Sequence, residues 1–324
     1  MSPSKIHIVQ SPEWGEFKTA YGTTAVRVEN IQYTKHKIPF LNLYYANSPK
    51  VNPFEINFEF LEKSLRENNC IAVNFDVPNV LADSEEAPKA LEILRKHCVK
   101  SPKNTFAKWT VILDITLSLD ELFAGMHEKH RYNIKQAQKK GVVVKRAESL
   151  EDFEVFYDSL RETAQREKYY IHSKKYYQLI WEIFSPKGMC YILTAGSLDN
   201  KPLASWMFFI YDGVLYYPYG GSFTNDRNLH AGNLVAWEGI KLGKELGCQV
   251  FDMWGASEDV TNTLDPWWGF TNFKMKFGGR HVEFIDSYDF IINKPLYYLF
   301  NFAYKLAWKI LKMLKRLRRL RLGS

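Results

Sequence analysis

The sequence predicts an α/β protein built in two successive halves, and three observations carry that expectation. A chain of 324 residues is longer than one hydrophobic core usually serves, and units of about 150 residues are the commoner size. Strand-like runs alternate along it with amphipathic helical stretches, the order that stacks helices on a sheet. A similar order then begins again after Gly141, although no residue-level repeat accompanies it.

Residues 6–9 read as a first strand. Ser11-Pro12 follows as an N-cap with proline at the first helical position, opening a short helix through Trp14 and Phe17. Strands are expected at 25–33, 40–45, 71–75 and 109–115, with helices at 58–67 and 87–97 between them. Ser118 and Glu121 have capping-box spacing, after which Leu122, Phe123, Met126, Ile134 and Ala137 keep helical spacing until Gly141 ends one long helix. The second half opens with a strand at 142–144 and a helix capped by Ser149 and Asp152. Strands at 191–195, 203–211 and 214–219 are joined by Asp199-Asn200 and Asp212-Gly213 turns. A helix over 232–246, closed by Gly247, leads to a strand at 249–254. The expected division is therefore 1–141, 142–293 and a tail from 294 to 324.

Several chemistries have no support. There is no G-x-S-x-G elbow, no P-loop, no G-x-G-x-x-G and no Q/R-x-x-G-x-G/A pyrophosphate loop. His127 and His130 are three apart and do not make H-E-x-x-H, and Cys70, Cys98, Cys190 and Cys248 are widely separated, so neither a metal site nor a disulfide framework is suggested. No cofactor is expected. No long uncharged apolar run occurs and Met1-Ser2-Pro3-Ser4-Lys5 lacks the core of a signal peptide, which points to the cytoplasm.

The segment from Gly269 to Arg280 mixes lysines with aromatics and closes on Gly278-Gly279. Phe273, Met275 and Phe277 alternate as one face of a strand would, which sends Lys274 and Lys276 together from the other face. Lysines on an edge strand turned to water are the commoner case. Trp267 and Trp268 immediately before them weigh for a ligand with phosphate and ring surfaces.

Phe273-Lys274 followed by Lys276-Phe277-Gly278-Gly279 resembles the FK-x-x-FGG ending of the FemABX peptidyltransferases, which add amino acids from aminoacyl-tRNA to the peptide of cell-wall precursors. Arg131-Tyr132-Asn133-Ile134 through Ala137 to Gly141-Val142 is similar to that family's R-x-N-I-x-x-A-x-x-x-G-V helix. Tyr219-Gly220-Gly221-Ser222 with Arg227, and then Phe251-Asp252-Met253-Trp254-Gly255, resemble its YD-x-x-G region. The resemblance covers roughly the last two thirds of the chain.

It implies two tandem domains of the GNAT acyltransferase type with a cleft between them, without the long helical arm some members carry. It implies an aminoacyl-tRNA donor and an acceptor amine on the stem peptide of a peptidoglycan precursor, either lipid II or a UDP-linked pentapeptide. Lys274 would lie beside the tRNA acceptor end and support the tetrahedral intermediate, with the Phe273 backbone shaping the site. Arg227 and a first-domain lysine, Lys35 or Lys37, would hold the diphosphate. Trp109, Asp114 and Tyr219 occupy places that face the precursor, a tryptophan standing at 109 where a tyrosine is expected. Asp252 reads equally as a structural carboxylate capping a turn. Lys276, Arg131 and Lys135 are candidates for tRNA contact, a solvated helix face being the open alternative for the basic cluster. Two other functions stay in view: a related N-acyltransferase with an acyl-CoA or carrier donor, and a non-catalytic RNA-binding or membrane-binding module.

The net charge of +7 is unevenly placed. Nine cations and no acid lie between Lys294 and Arg321, so the rest of the chain carries −2. From Leu296 to Leu317 apolar residues hold helical spacing while cations thicken toward the end. The front of this helix is expected to pack on the first domain, as the resemblance favours, and its Lys312 to Arg321 part to meet an anionic membrane surface.

Overall fold

The computed structural model describes residues 6–224 and 227–306, with the backbone alone of Arg227. The basic tail from 307 onward and the Arg227 side chain, both singled out in the sequence, lie outside the described residues.

Ser11 caps α1 (Pro12–Ala20) by accepting the Trp14 N–H at 3.1 Å. The residues ahead of it form a 3₁₀ turn (Ile8–Gln10) rather than a strand, and Ile8 and Val9 plug into a core instead of pairing. The strand expected over 25–33 is two, β1 (Ala25–Val28) and β2 (Ile31–Lys37), because Glu29 takes a φ of 49° and turns the chain. β3 (Tyr44–Asn47) starts late for a similar reason, Phe40 standing at φ 66° in an exposed turn. α2 (Phe58–Glu67), β4 (Cys70–Phe75) and α3 (Ala87–His97) fall where their apolar spacing places them. β5 (Val99–Lys100) and β6 (Trp109–Asp114) follow.

The capping box of Ser118 and Glu121 opens α4 (Leu119–Gly125), but the long helix expected to reach Gly141 is broken. Met126 and His127 are extended, with ψ of 152° and 140°, and the His127 N–H donates to the Lys276 carbonyl at 2.9 Å. α5 (Glu128–Lys139) then starts afresh. β7 (Val143–Arg146), α6 (Leu150–Glu167), an unanticipated α7 (Lys174–Phe184), β8 (Cys190–Gly196), β9 (Pro202–Tyr211) and β10 (Val214–Ser222) lead to α8 (Ala231–Glu245) and β11 (Val250–Gly255). The chain closes through α9 (Trp268–Met275), β12 (Arg280–Glu283) and β13 (Tyr288–Ile291), after which residues 294–306 are helical.

Among the described residues the strands form two sheets. One runs β1-β2-β3-β4-β13-β5 and the other β12-β6-β11-β10-β9-β8-β7. The sheets exchange chain across residue 141, since β6 belongs to the second and β13 returns to pair β4 in the first. Cores fill both faces of the second sheet: Trp206, Tyr217 and Phe251 lie on the side of α5 and α8, and Phe209, Tyr216 and Phe156 on the side of α6 and α7. The start of the terminal helix covers the first sheet through Tyr297 and Phe300 against Tyr45.

Helix α6 crosses β10 so closely that a Cβ on Gly221 would stand 2.3 Å from the Ser159 carbonyl oxygen and 2.5 Å from the Leu160 nitrogen. Backbone cannot yield there as a side chain can, so Gly221→Ala is expected to cost about 3 kcal/mol. Gly247, at φ 77° with open space around it, should cost only about 1 kcal/mol on the same change. Denaturant melts of the two variants measure this, and a smaller loss for Gly221→Ala than for Gly247→Ala contradicts the packing argument.

Candidate active site

The segment carrying Lys274 is a helix, which corrects the strand expected there. Asp265 sets its start by accepting the Trp267 N–H at 2.7 Å, and Gly278 ends it at φ 91°. Phe270, Phe273, Lys274 and Phe277 then share one stripe at helical spacing, so Lys274 and Lys276 do not project together. Lys276 is half-buried at the helix end, whereas Lys274 turns inward and is 1% exposed.

A buried ammonium needs acceptors, and a defect in the second sheet supplies them. β10 runs parallel to β11 only from Val214–Val250 to Tyr216–Asp252, and beyond that point the described pairing of β10 is with β9. The freed β11 carbonyls turn to Lys274, whose Nζ donates to Gly255 O at 2.7 Å and Trp254 O at 3.3 Å. Trp254 adopts φ 61°, a left-handed conformation that a bulky residue takes only under constraint. That constraint comes from Asp252 and Thr110. Asp252 Oδ1 accepts the Trp254 N–H at 2.8 Å, and the Thr110 hydroxyl lies 2.5 Å from Asp252 Oδ1 and 2.7 Å from Trp254 O. Burial pushes Lys274 well below the ordinary lysine range and the Asp252 carboxylate pulls it back up. Asp252 is itself raised by burial, against the opposing pull of Thr110, Lys50, the Trp254 N–H and Lys274.

Lys274 Nζ stands 3.7 Å from the ring centre of Phe270 and 5.8 Å from that of Tyr217. Both rings line a cavity of about 310 Å³ whose walls include Trp206, Gly220, Asn233 and Phe273. His230, at φ 54°, leads into α8 there without a side-chain cap, and the buried Asn233 Nδ2 has no hydrogen-bond partner. Stacking surfaces beside a helix start without a side-chain cap and an unpartnered amide donor suit a ring and a phosphate or an acyl oxygen. Behind this wall His130 Nε2 bonds the Phe273 carbonyl at 3.0 Å, and its ring packs on Phe273 and Phe277.

Of the residues singled out in the sequence, Phe273 lines this cavity and Lys274 lies buried behind two of its rings, Phe270 and Tyr217. Tyr219 does not, because a bulge between Tyr216 and Tyr219 puts it on the other face from Tyr217, with its hydroxyl 3.3 Å from that of Tyr176. Asp114 is at the far end of β6, where it accepts the Thr116 N–H at 2.8 Å, and the carboxylate beside Lys274 is Asp252 instead. Trp109 is half-buried on β6 with Lys108 Nζ 5.1 Å from its ring. Lys35 and Lys37 lie on the first sheet, Lys35 donating to Asn68 at 3.1 Å and Lys37 exposed. Arg131 caps the end of α4 through the carbonyls of Ala124, at 3.0 Å, and Met126, while Lys135 is exposed. Phe270, Tyr217, Trp206 and Thr110 went unnoticed in the sequence, although the stripe from Phe270 to Phe277 was there to be read.

Residues 97–201 and 192–305 match the FemAB family. The chain belongs to the FemAB family. A lipid II:glycine glycyltransferase of Staphylococcus epidermidis is 30% identical to it over 84 residues, 26% of this chain and 20% of that protein. One of Staphylococcus haemolyticus is 29% identical over a stretch of the same length. The match thus spans a fifth of the length of these curated relatives. Among solved structures, FemX superposes with a TM-score of 0.82 over 92% of this chain and 95% of its own, at 18% identity. The L-PGS of Bacillus licheniformis does so at 0.56 over 90% and 94%, at 12% identity. At such identities the likeness is one of fold, and the α/β architecture with two sheets is the expected one.

His130 gives the site a pH signature. Burial holds its imidazole down at about 4, and its Nδ1 has no acceptor for a second proton. The folded value is depressed, so the unfolded chain takes up the proton first, and stability present above pH 6.5 drains away as pH falls from there to about 4. Melting temperature should fall more steeply across that window in the wild type than in His130→Gln; parallel curves rule out this linkage.

Proposed function

We propose that this protein transfers an amino acid from aminoacyl-tRNA to an amine on the stem peptide of a peptidoglycan precursor, forming part of an interpeptide bridge. The observation that carries the reading is the buried Lys274, held on the carbonyls of Trp254 and Gly255 at the split between β10 and β11, in a member of the FemAB family. The relatives named lipid II:glycine glycyltransferases act, by that name, on lipid II with glycine. They favour a lipid-linked acceptor.

The acceptor amine attacks the ester carbonyl of the charged tRNA. A carbon–nitrogen bond forms, the ester carbon–oxygen bond breaks, the amine gives up a proton and the departing ribose oxygen gains one. The ester is already activated, so the protein contributes orientation and charge stabilisation. Lys274 is assigned the second task. An ammonium behind aromatic walls, away from water, acts on a developing oxyanion far more strongly than one in solvent. The Phe270 ring lies against that ammonium, and donor binding is to displace it. The terminal ring and phosphates of the donor suit Trp206, Tyr217 and the start of α8. Arg227, with Lys37 or Lys35 from the first sheet, is assigned the precursor diphosphate. Lys276 and Lys135, half-buried and exposed, are assigned the tRNA backbone.

No helix among the described residues is long and apolar enough to cross a membrane. We assign the terminal helix to an anionic membrane surface. Leu296, Tyr297, Phe300 and Asn301 pack on the first sheet or are buried, and from Phe302 to Leu306 every residue is exposed. Leu299 and Phe302 show 62% and 68% of their surface to solvent. Apolar groups held in water just ahead of eight cations without an acid, from Lys305 to Arg321, fit insertion at the headgroup level with charge attraction behind it.

Two measurements test these assignments. Lys274→Ala should lower turnover with saturating charged tRNA on the order of a hundredfold, about 3 kcal/mol, while calorimetry shows unchanged precursor binding. Turnover near wild type, read as the mass gain of one amino acid, removes Lys274 from the chemistry. The protein should sediment with anionic vesicles and be released by salt, and Leu299→Ser with Phe302→Ser should weaken that binding at least tenfold while a soluble acceptor is still used. Equal binding to neutral vesicles, or none to anionic ones, defeats the membrane assignment.

A further inference from the structure

The turn between β2 and β3 carries apolar residues outward. Phe40 is fully exposed at φ 66°, a left-handed conformation unfavourable for a bulky residue, and Leu41 beside it is exposed as well. The turn is nevertheless closed, the Ile38 N–H donating to Leu43 O at 2.9 Å and the Leu41 N–H to Ile38 O at 3.2 Å. Its flanks are anchored, because Ile38 and Leu43 pack in one cluster with Tyr45, Leu296, Tyr297 and Phe300. The turn and the start of the terminal helix are thereby held together. Lys103 lies on the same seam, its Nζ 5.0, 5.7 and 4.4 Å from the ring centres of Tyr45, Phe300 and Tyr304. Away from that cluster, Tyr298, Leu299, Phe302 and Leu306 of the helix are exposed. The charge around these groups has one sign. No Asp or Glu stands between Glu29 and Glu55, where Lys35, Lys37 and Lys50 lie, and none follows Asp289. Two acid-free segments from opposite ends of the chain meet at one seam, each with apolar side chains in water. Apolar tips above a basic base complement an anionic lipid surface, which offers phosphate first and hydrocarbon beneath.

We propose that the turn bearing Phe40 and Leu41 is a second membrane-contacting element: it inserts at the headgroup level of an anionic bilayer beside the terminal helix, and so sets Lys37 at the depth of the precursor diphosphate. The insertion stands on the exposed surface itself, whereas its purpose rests on the lipid-linked acceptor and the role given to Lys37 above. Lys37 ends β2 opposite Tyr44, at the base of the turn. From there to Phe40 the chain spans at most about 10 Å, which matches the roughly 5–10 Å to which an interfacial element buries its apolar side. In a lipid-linked precursor the diphosphate is the last polar group before the hydrocarbon chain. A cation that grips it therefore stands at the bilayer surface, and the residues beyond that cation meet lipid. Two contacts on one packed cluster, turn and helix, fix the tilt of the first sheet toward the membrane as well as its nearness.

An environment-sensitive dye on Phe40→Cys reads the contact directly. Dye-treated wild type is the blank for the native thiols, and Leu198→Cys, exposed between β8 and β9 of the second sheet, is the control position. On vesicles of phosphatidylglycerol and phosphatidylcholine the dye at 40 should shift to the blue and be quenched about twofold by lipids spin-labelled near the headgroup, while the dye at 198 should do neither. Phe40→Ser with Leu41→Ser changes only exposed side chains and is expected to melt with the wild type. It should weaken vesicle binding about tenfold and lower turnover on a lipid-linked acceptor in those vesicles by a similar factor, with turnover on a UDP-linked acceptor unchanged. An unquenched dye, vesicle binding unaltered in the double variant, or an equal loss on the soluble acceptor overturns the proposal. A dye that shifts with protein concentration before vesicles are added marks a protein partner and overturns it too. If the wild type transfers to neither acceptor, the function proposed above fails, and the quenching still decides whether the turn enters the bilayer.

Discussion

The interaction on which the rest of this structure depends is the seating of the Lys274 ammonium on the carbonyls of Trp254 and Gly255. An ion taken out of water is costly unless its protons are accepted and its charge is opposed. Here both requirements draw on a sheet that has been opened. Were β10 and β11 paired along their whole length, the Trp254 and Gly255 carbonyls would be candidates for the ladder and not for Lys274. The left-handed Trp254 is the local cost, and Asp252 and Thr110 hold it in place from within the strand pair β6 and β11.

That seat is braced by elements far apart in sequence. The break between α4 and α5 frees the His127 N–H for the Lys276 carbonyl, and three residues later His130 reaches the Phe273 carbonyl. Both ends of the turn from Phe273 to Lys276 are thereby tied to the helix that resembled a family signature. Its Asn133 amide bonds Asn233 across to α8 at 3.3 Å. The Arg131 guanidinium, expected for tRNA, is spent on the α4 carbonyls, which explains an arginine at that point of the motif without a ligand. Conformational freedom lost in one loop is thus shared among four elements, and the cavity wall formed by Phe270 and Phe273 inherits their rigidity.

How much could be read in the sequence follows the range of the forces involved. Helices α2 and α3 match expectation at both ends because their apolar spacing is local, with Asn57 capping α2 and Pro88 in the first turn of α3. The helix α9 was misread because an apolar residue at every second place and a stripe at i, i+3, i+4 and i+7 coincide over Phe273 to Phe277; Phe270 was the residue that broke the tie. At the break between α4 and α5, Gly125 and the His127 side chain, which caps α5 through the Lys129 N–H, are local signals that were passed over, whereas the bond from the His127 N–H to Lys276 is one that no local pattern announces. The motif words put Lys274 and Phe273 side by side on one helix, Phe273 on the cavity wall and Lys274 buried behind the rings of Phe270 and Tyr217. Asp252 was read as a carboxylate capping a turn, which fits the Trp254 N–H it accepts, but its tie to Thr110, 142 positions away, was not visible. Long-range electrostatics of this kind leave no period and no spacing.

The exchange of strands between the sheets shows why those distant partners are available at all. β6 crosses from the first half into the second sheet and supplies Thr110 beside Gly255, and the chain after β12 returns through Phe284 to build β13 into the first sheet. Two sheets laced together by β6 and β13 cannot part without breaking strand pairs in both, and the buried bond between Thr110 and Asp252 on β6 and β11 is held with them.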